Sequence, residues 1–270
     1  MNRVALDVGA GMAIVRRDFK LALSYRLRFA SQLLSGFFSL TLFYYLSRLV
    51  QVEVFESPDA YYAFAVIGLV ILQVLNSTLA TPPAAMRQEL VAGTFERMVL
   101  SPFGPVGGAV SMLLFPFVYS LILAMAMLGF ASLAFGLEVS WATVPLVIPV
   151  AVLGALSFAP FGIMLLAMVL VVKQVAAGTT WIIAGISLIA GLYFPVTLLP
   201  DWIEWMSDVQ PFTPAVELMR NLLVDTPLTD SVWLNLGRMA GFAAVLMPAS
   251  IWVLNKAVRA SRRRGTIIEY

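Results

Sequence analysis

Histidine and cysteine are absent from the 270 residues of the chain, and its only lysines are Lys20, Lys173 and Lys256. Without His or Cys there is no Ser-His or Cys-His nucleophile, no zinc site of the usual ligand type and no disulfide framework. The lack of Cys also leaves the redox compartment unread. No lysine follows Gly or precedes Ser or Thr, so the phosphate-binding pattern GxxxxGK[ST] is missing and the chain by itself is not a P-loop ATPase. Charge is scarce too: 12% of residues are Asp, Glu, Lys or Arg, about half the usual share of a soluble domain. With 61% apolar residues and a mean hydropathy of +0.92, the chain has to be solvated largely by lipid.

What is present are long runs free of charge. They are Phe29 to Ser47 (19 residues), Ala60 to Met86 (27), Met98 to Leu137 (40), Val139 to Val172 (34) and Gln174 to Pro200 (27). A sixth, Ser231 to Asn255, is broken only by Arg238. The 40-residue run would measure ~60 Å as one helix, twice the ~30 Å hydrocarbon layer. Two prolines and three glycines in Ser101-Pro102-Phe103-Gly104-Pro105-Val106-Gly107-Gly108 predict its break. Six spans follow, near 29–48, 60–81, 109–135, 146–171, 176–196 and 236–256, between an N-terminal segment 1–28 and a basic tail 257–270. No small-x-small cleavage site follows the first run, which reads as a retained span.

Basic residues are retained on the cytoplasmic side. With the N-terminus inside, 14 of the 17 basic residues fall in inner segments, and only Arg48, Arg220 and Arg238 fall outside, with ten acids. Both termini are therefore expected in the cytoplasm of a multi-pass cell-membrane protein.

Three segments do not read as plain spans. From Met12 to Phe29, Val15, Phe19, Ala22 and Leu23 recur at helical spacing opposite Arg16, Arg17, Lys20 and Arg26. Such a helix lies along the inner interface, its basic face toward anionic head groups; the same charges also serve as a simple retention signal. In the inner loop, Thr81-Pro82-Pro83 reads as a capped helix start and Gly93 as a stop, with Thr94 capping a further helix over Phe95 to Leu100 closed by Ser101-Pro102. Arg87, Glu89, Glu96 and Arg97 make this loop polar, either as a docking surface or as a solvated turn of paired charges. The outer segment Leu192 to Asp230 is divided by Pro195, Pro200, Pro211 and Pro214. Asp201 and Glu204 resemble a capping box, Thr213-Pro214 starts a second helix, and Glu217 lies three residues before Arg220, within pairing reach. A re-entrant or interfacial hairpin keeps these charges out of lipid, as does a Trp-anchored loop.

The middles of all six expected spans lack ionisable residues, which disfavours proton-coupled transport, voltage sensing and intramembrane hydrolysis. Sodium coupling through backbone carbonyls remains open. What these exclusions leave is a pathway-forming protein powered or gated from outside its spans.

Two stretches resemble a known family. Glu89-Leu90-Val91-Ala92-Gly93-Thr94-Phe95-Glu96-Arg97-Met98-Val99-Leu100-Ser101-Pro102 resembles the E-x-x-x-G-T-x-E-x-x-x-x-x-P stretch between spans two and three of type-2 ABC exporter permeases. Tyr193 to Trp202, with Pro211 to Pro214 and Glu217 to Arg220, is similar to that family's F-x-P-x-x-x-x-P-x-W, N-P-x-T and E-x-x-R patterns, with Gln210 where the family commonly has Asn. The resemblance implies an all-α membrane protein of six transmembrane helices. To these it adds an N-terminal amphipathic interface helix, a cytoplasmic coupling helix between spans 2 and 3, and a re-entrant helical hairpin between spans 5 and 6. It implies a permease subunit, not itself an enzyme, paired with a second copy or a related permease and with two separate ATP-binding cassette subunits, which would carry the ATP and Mg. No cofactor, metal site or nucleic-acid partner is implied for this chain; membrane lipid is. ATPase coupling falls to Glu89, Gly93, Thr94, Glu96 and Arg97, and the outer gate to Pro195, Pro200, Trp202, Pro211, Glu217 and Arg220. The alternatives are a membrane scaffold or regulatory subunit without a pathway, and a secondary transporter. Aromatics of the first span such as Phe37, Phe38, Tyr44 and Tyr45 could stack on sugars or simply pack.

Overall fold

A computed structural model describes residues 3–24, 26–50, 54–100, 103–172 and 176–263. Among them every regular element is helical. Ser101-Pro102, Lys173 and Arg264 lie outside the described residues, as do the side chains of Arg3, Arg28 and Glu96.

The chain opens with α1 (Arg3–Ser24) and α2 (Arg26–Leu49). Next, α3 (Pro58–Leu79) starts where its sequence predicts. Ser57 accepts the Ala60 N–H at 3.1 Å, Pro58 occupies the first turn, and Asp59 meets the positive end of the helix. The expected cap at Thr81 does not form. Ala80 keeps helical angles (φ −93°, ψ −36°), so α4 (Thr81–Val91) carries on from α3 with Thr81 inside it. Pro82 and Pro83 cannot donate to the carbonyls of Thr78 and Leu79, and the later helix that carries Gly162 closes in there: a methyl group on Gly162 would lie 2.8 Å from the Thr78 oxygen.

After α5 (Thr94–Leu100), the 40-residue apolar run divides into α6 (Gly104–Ser111) and α7 (Leu114–Phe135). Pro116, which leaves the Met112 carbonyl without its helical donor, accounts for the turn between them. Gly136, at φ +69°, ends α7 with Gly136 N–H donating to Ser132 and Leu137 N–H to Ala131, a glycine-terminated stop. A 3-10 turn, Trp141–Thr143, leads into α8 (Val144–Val172). Then come α9 (Ala176–Ile189), α10 (Asp201–Asp208), α11 (Phe212–Val224) and α12 (Val232–Arg263).

Among the described residues five helical stretches are long and apolar enough to cross a membrane: Phe29–Leu49, Pro58–Val91, Gly104–Phe135, Trp141–Val172 and Val232–Arg263. The sixth expected span, near 176–196, differs. The described part of its helix, α9, has 14 residues, about 21 Å at 1.5 Å per residue, and it ends where Gly191 turns left-handed (φ +71°) and Pro195 follows. The core lies where α3, α8, α11 and α12 meet, with Leu166, Leu218, Met239 and Leu254 almost fully enclosed. A second cluster joins α2, α3 and α7 through Leu40, Tyr62, Ile67 and Ala131. Outward, α2 and α12 present Phe38, Leu42, Val245 and Trp252, an apolar surface suited to lipid.

Candidate functional site

At the inner end, the α4–α5 corner is organised by Glu89. Its carboxylate accepts from Arg17 Nη1 of α1 at 2.8 Å, and the Thr94 hydroxyl donates both to that carboxylate and to the Glu89 carbonyl (3.3 Å). Thr94 therefore ties α5 back to α4 and does not cap it from in front, as its position had predicted. Partial burial lowers the pKa of Arg17, but its hydrogen bonds and charge contacts with Asp18 and Glu89 more than offset this and raise it overall. Gly93, at φ +69° with its N–H donating to Leu90 at 3.1 Å, makes the corner between the two helices, and Phe95 buries its ring beneath it. Arg97 is exposed.

A side chain on Gly93 meets no neighbour, so a substitution there is felt only through the backbone. Gly93→Val is expected to cost about 1–2 kcal/mol in this corner. Gly93→Asn, which tolerates left-handed angles, is expected to cost less. Limited proteolysis of the 89–97 corner checks both: faster cleavage in the Val variant than in the Asn variant is the expected order.

The outer segment holds the remaining expected residues. Leu192 N–H donates to Ser187 at 3.2 Å past Gly191, and Pro195 leads into a 3-10 turn over Val196–Leu198. Pro200 itself occupies the position before α10, so Asp201 and Glu204 form no capping box; they sit in the first turn, where their charge still favours the helix. Trp202 and Trp205 project outward, Trp202 74% exposed. Likewise α11 begins at Phe212 after Pro211, not at Thr213, whose hydroxyl instead accepts from Gln210 Nε2 at 3.1 Å.

Along α8, α11 runs antiparallel. Phe212 stacks on Phe158 (centroids 4.3 Å apart), Ala215 faces Gly154, and Leu222 and Leu223 reach the turn before α8. There Ser140 N–H donates to the Leu223 carbonyl at 2.9 Å, and the Ser140 hydroxyl donates to Asp225 at 2.8 Å. The first turn of α11 thus lies level with the middle of α8, and its last turn lies level with the start of α8.

Arg220 sits in this layer, 5% exposed. Its Nη2 donates to the carbonyls of Phe64 (3.4 Å) and Leu192 (3.3 Å), and its guanidinium carbon lies 3.4 Å from the Phe64 ring centroid. Gly68, one turn along α3 from Phe64, makes the approach possible: a methyl group there would sit 1.9 Å from the Leu192 oxygen. The expected Glu217–Arg220 ion pair does not form within 4 Å. Glu217 accepts instead from Asn235 Nδ2 of α12 at 3.3 Å, and Arg220 is turned the other way, into α3.

The sequence pointed to Glu89, Gly93, Thr94, Glu217 and Arg220 but not to their partners on other helices. Arg17, Phe64, Gly68 and Asn235 come from distant parts of the chain, 28 to 156 residues away for the contacts of Arg220. One signal was available for Arg220 itself, a lone cation flanked by Leu218, Met219, Leu222 and Leu223.

Helices of this length and apolar character mark a multi-pass helical membrane protein. The ABC-2 type transporter family matches residues 11–224, most of the chain, and the protein belongs to that family as a permease subunit. No curated protein matches the sequence.

Proposed function

We propose that this chain forms, as a dimer, the substrate pathway of an ATP-driven exporter and is coupled to two separate cytoplasmic ATP-binding cassette subunits. The observation that carries the coupling is the Glu89 node. A single carboxylate links α1, the end of α4 and the start of α5, so a push on the α4–α5 corner reaches both the interface helix and, through the continuous α3–α4 line, the membrane interior. Glu89, Gly93, Thr94, Glu96 and Arg97 are the proposed ATPase contact. ATP and Mg belong to the partner.

The outer segment is the proposed gate. The pairing of α11 with the first half of α8 supports a re-entrant hairpin, in which α11 climbs from mid-membrane outward and Arg220 holds it to α3. Pro195, Pro200 and Pro211 set its turns, Trp202 anchors it at the interface, and Glu217 ties it to α12. On this reading the short α9 completes a sixth crossing together with the residues before Pro195, and both termini face the cytoplasm.

Single cysteines in the Cys-free chain test the topology. Cysteine at Ser57 or Asp225 is expected to react with an impermeant reagent added outside intact cells, and cysteine at Ser261 is not. Labelling of Ser261→Cys from outside would refute the six-crossing arrangement. The coupling is tested by purifying the tagged chain from its own membranes. An ATP-binding subunit is expected to accompany it at one per permease, and Glu89→Lys and Gly93→Val are expected to lose at least tenfold of that subunit while inserting normally. Wild-type recovery in both variants would remove this corner from the mechanism.

A further inference from the structure

Along α2, α3, α7 and α8 there are three amide side chains, Gln32, Gln73 and Asn76, and all three line one cavity of about 150 Å³ between α2 and α3. Ser35 and Ser39 complete its polar wall. On α2, Gln32, Ser35 and Ser39 follow at helical spacing, as do Gln73 and Asn76 on α3, so each helix turns one polar face to the same groove. The adjoining face of α2 carries exposed Leu34, Phe38 and Leu42, as a lipid-facing surface should.

The hydrogen bonds leave this wall able to bind. Ser39 donates to the Ser35 carbonyl (3.0 Å) and Asn76 Nδ2 to the Leu72 carbonyl (2.9 Å), which spends protons within each helix and leaves the hydroxyl and amide oxygens facing outward. Tyr119 donates to Gln32 Oε1 at 2.6 Å, which leaves the Gln32 amide nitrogen as a donor. The Ser35 hydroxyl and the Gln73 amide have no partner among the described residues. Unpaired amides in hydrocarbon are costly, and polar groups at this depth persist where they line a wet cavity. Among the described residues no charged one lines the groove.

We infer that this groove is one wall of the translocation pathway, and that the solute it accepts is uncharged and rich in hydroxyl or amide groups. The inference rests on the permease reading and adds to it the residues of the wall and a substrate class. A cavity of about 150 Å³ is smaller than the ~300–1,000 Å³ of common ligand sites, so a second copy of the chain supplies the facing wall.

The test places single cysteines at Ser35 and Gln73, with Leu34 and Leu42 as lipid-facing controls, in the full chain in phospholipid vesicles. A water-soluble methanethiosulfonate reagent is expected to modify the groove positions at least tenfold faster than the controls. An uncharged sugar, maltose, is expected to slow modification of Gln73→Cys at least threefold, and glucose 6-phosphate at the same concentration is not. Reaction as slow as at the controls would make the groove a dry helix contact and overturn the assignment. Equal effects of the two sugars, including none, would overturn the substrate class. The labelling needs neither ATP nor a partner, so its failure leaves ATPase association intact, whereas failure of the permease reading appears as lost association with labelling unchanged.

Discussion

Gly68→Ala is expected to abolish transport and to destabilise the protein, although it adds a single methyl group. That methyl would lie 1.9 Å from the Leu192 carbonyl oxygen and 3.3 Å from Arg220 Nη2. The first of these is backbone and cannot swing aside, so the segment after α9 has to move away from α3. Overpacking of this kind costs about 1–3 kcal/mol, and the displaced carbonyl also loses its hydrogen bond to Arg220. Gly129→Ala and Gly237→Ala are the controls. Both glycines lie within helices with no neighbour near an added methyl, so these changes are expected to be neutral or to gain up to about 1 kcal/mol in helix propensity. Thermal unfolding in detergent reads the stability, and transport by the complete complex reads the function. Equal behaviour of all three alanine variants would mean that the Leu192 approach has no role.

Arg220→Ala is expected to cut transport more than tenfold, against less than twofold for Asp225→Ala. The guanidinium is buried, bonded to two backbone carbonyls and laid on the Phe64 ring. Hydrogen bonds to a charged group contribute about 1.5–3 kcal/mol each, and relief of the buried charge offsets part of their loss. The net destabilisation is therefore expected to be smaller than the functional loss, because what is lost is the fastening between the outer segment and α3. Arg220→Lys is not expected to restore function, since an ammonium lacks the planar guanidinium that stacks on the Phe64 ring. The sequence spacing alone suggests that Glu217→Ala would rescue Arg220→Ala by removing a stranded partner. The geometry predicts otherwise: Glu217 is held by Asn235, so the double variant is expected to transport no better than Arg220→Ala. Recovery in the double variant would restore the ion-pair view.

These two residues also illustrate what could be read in advance. Span positions were legible because lipid imposes a long apolar run on each crossing, and five of six runs became helices of spanning length. Corners at Gly93, Gly136 and Gly191 follow from local backbone chemistry, and Gly93 was read correctly as a stop. Caps were less legible. Thr81, Thr94, Asp201 and Thr213 all had the right residue type, yet proline or the preceding helix took the capping position in three cases, and Thr94 turned back to Glu89. The end of α9 was hidden because its apolar run continues past it through Leu192 to Leu199. Least legible were contacts across the bundle, such as Gly68 with Leu192 and Arg17 with Glu89, which depend on helix packing and leave no mark in local spacing.

Solute movement in vesicles carrying this chain with the ATP-binding subunit that purifies with it tests the central claim most directly. The account predicts that ATP hydrolysis and solute accumulation each require both subunits, and that accumulation stops when ATP is withdrawn and is indifferent to ionophores. Accumulation that ionophores dissipate and ATP withdrawal leaves unchanged would contradict it and make the chain a secondary transporter.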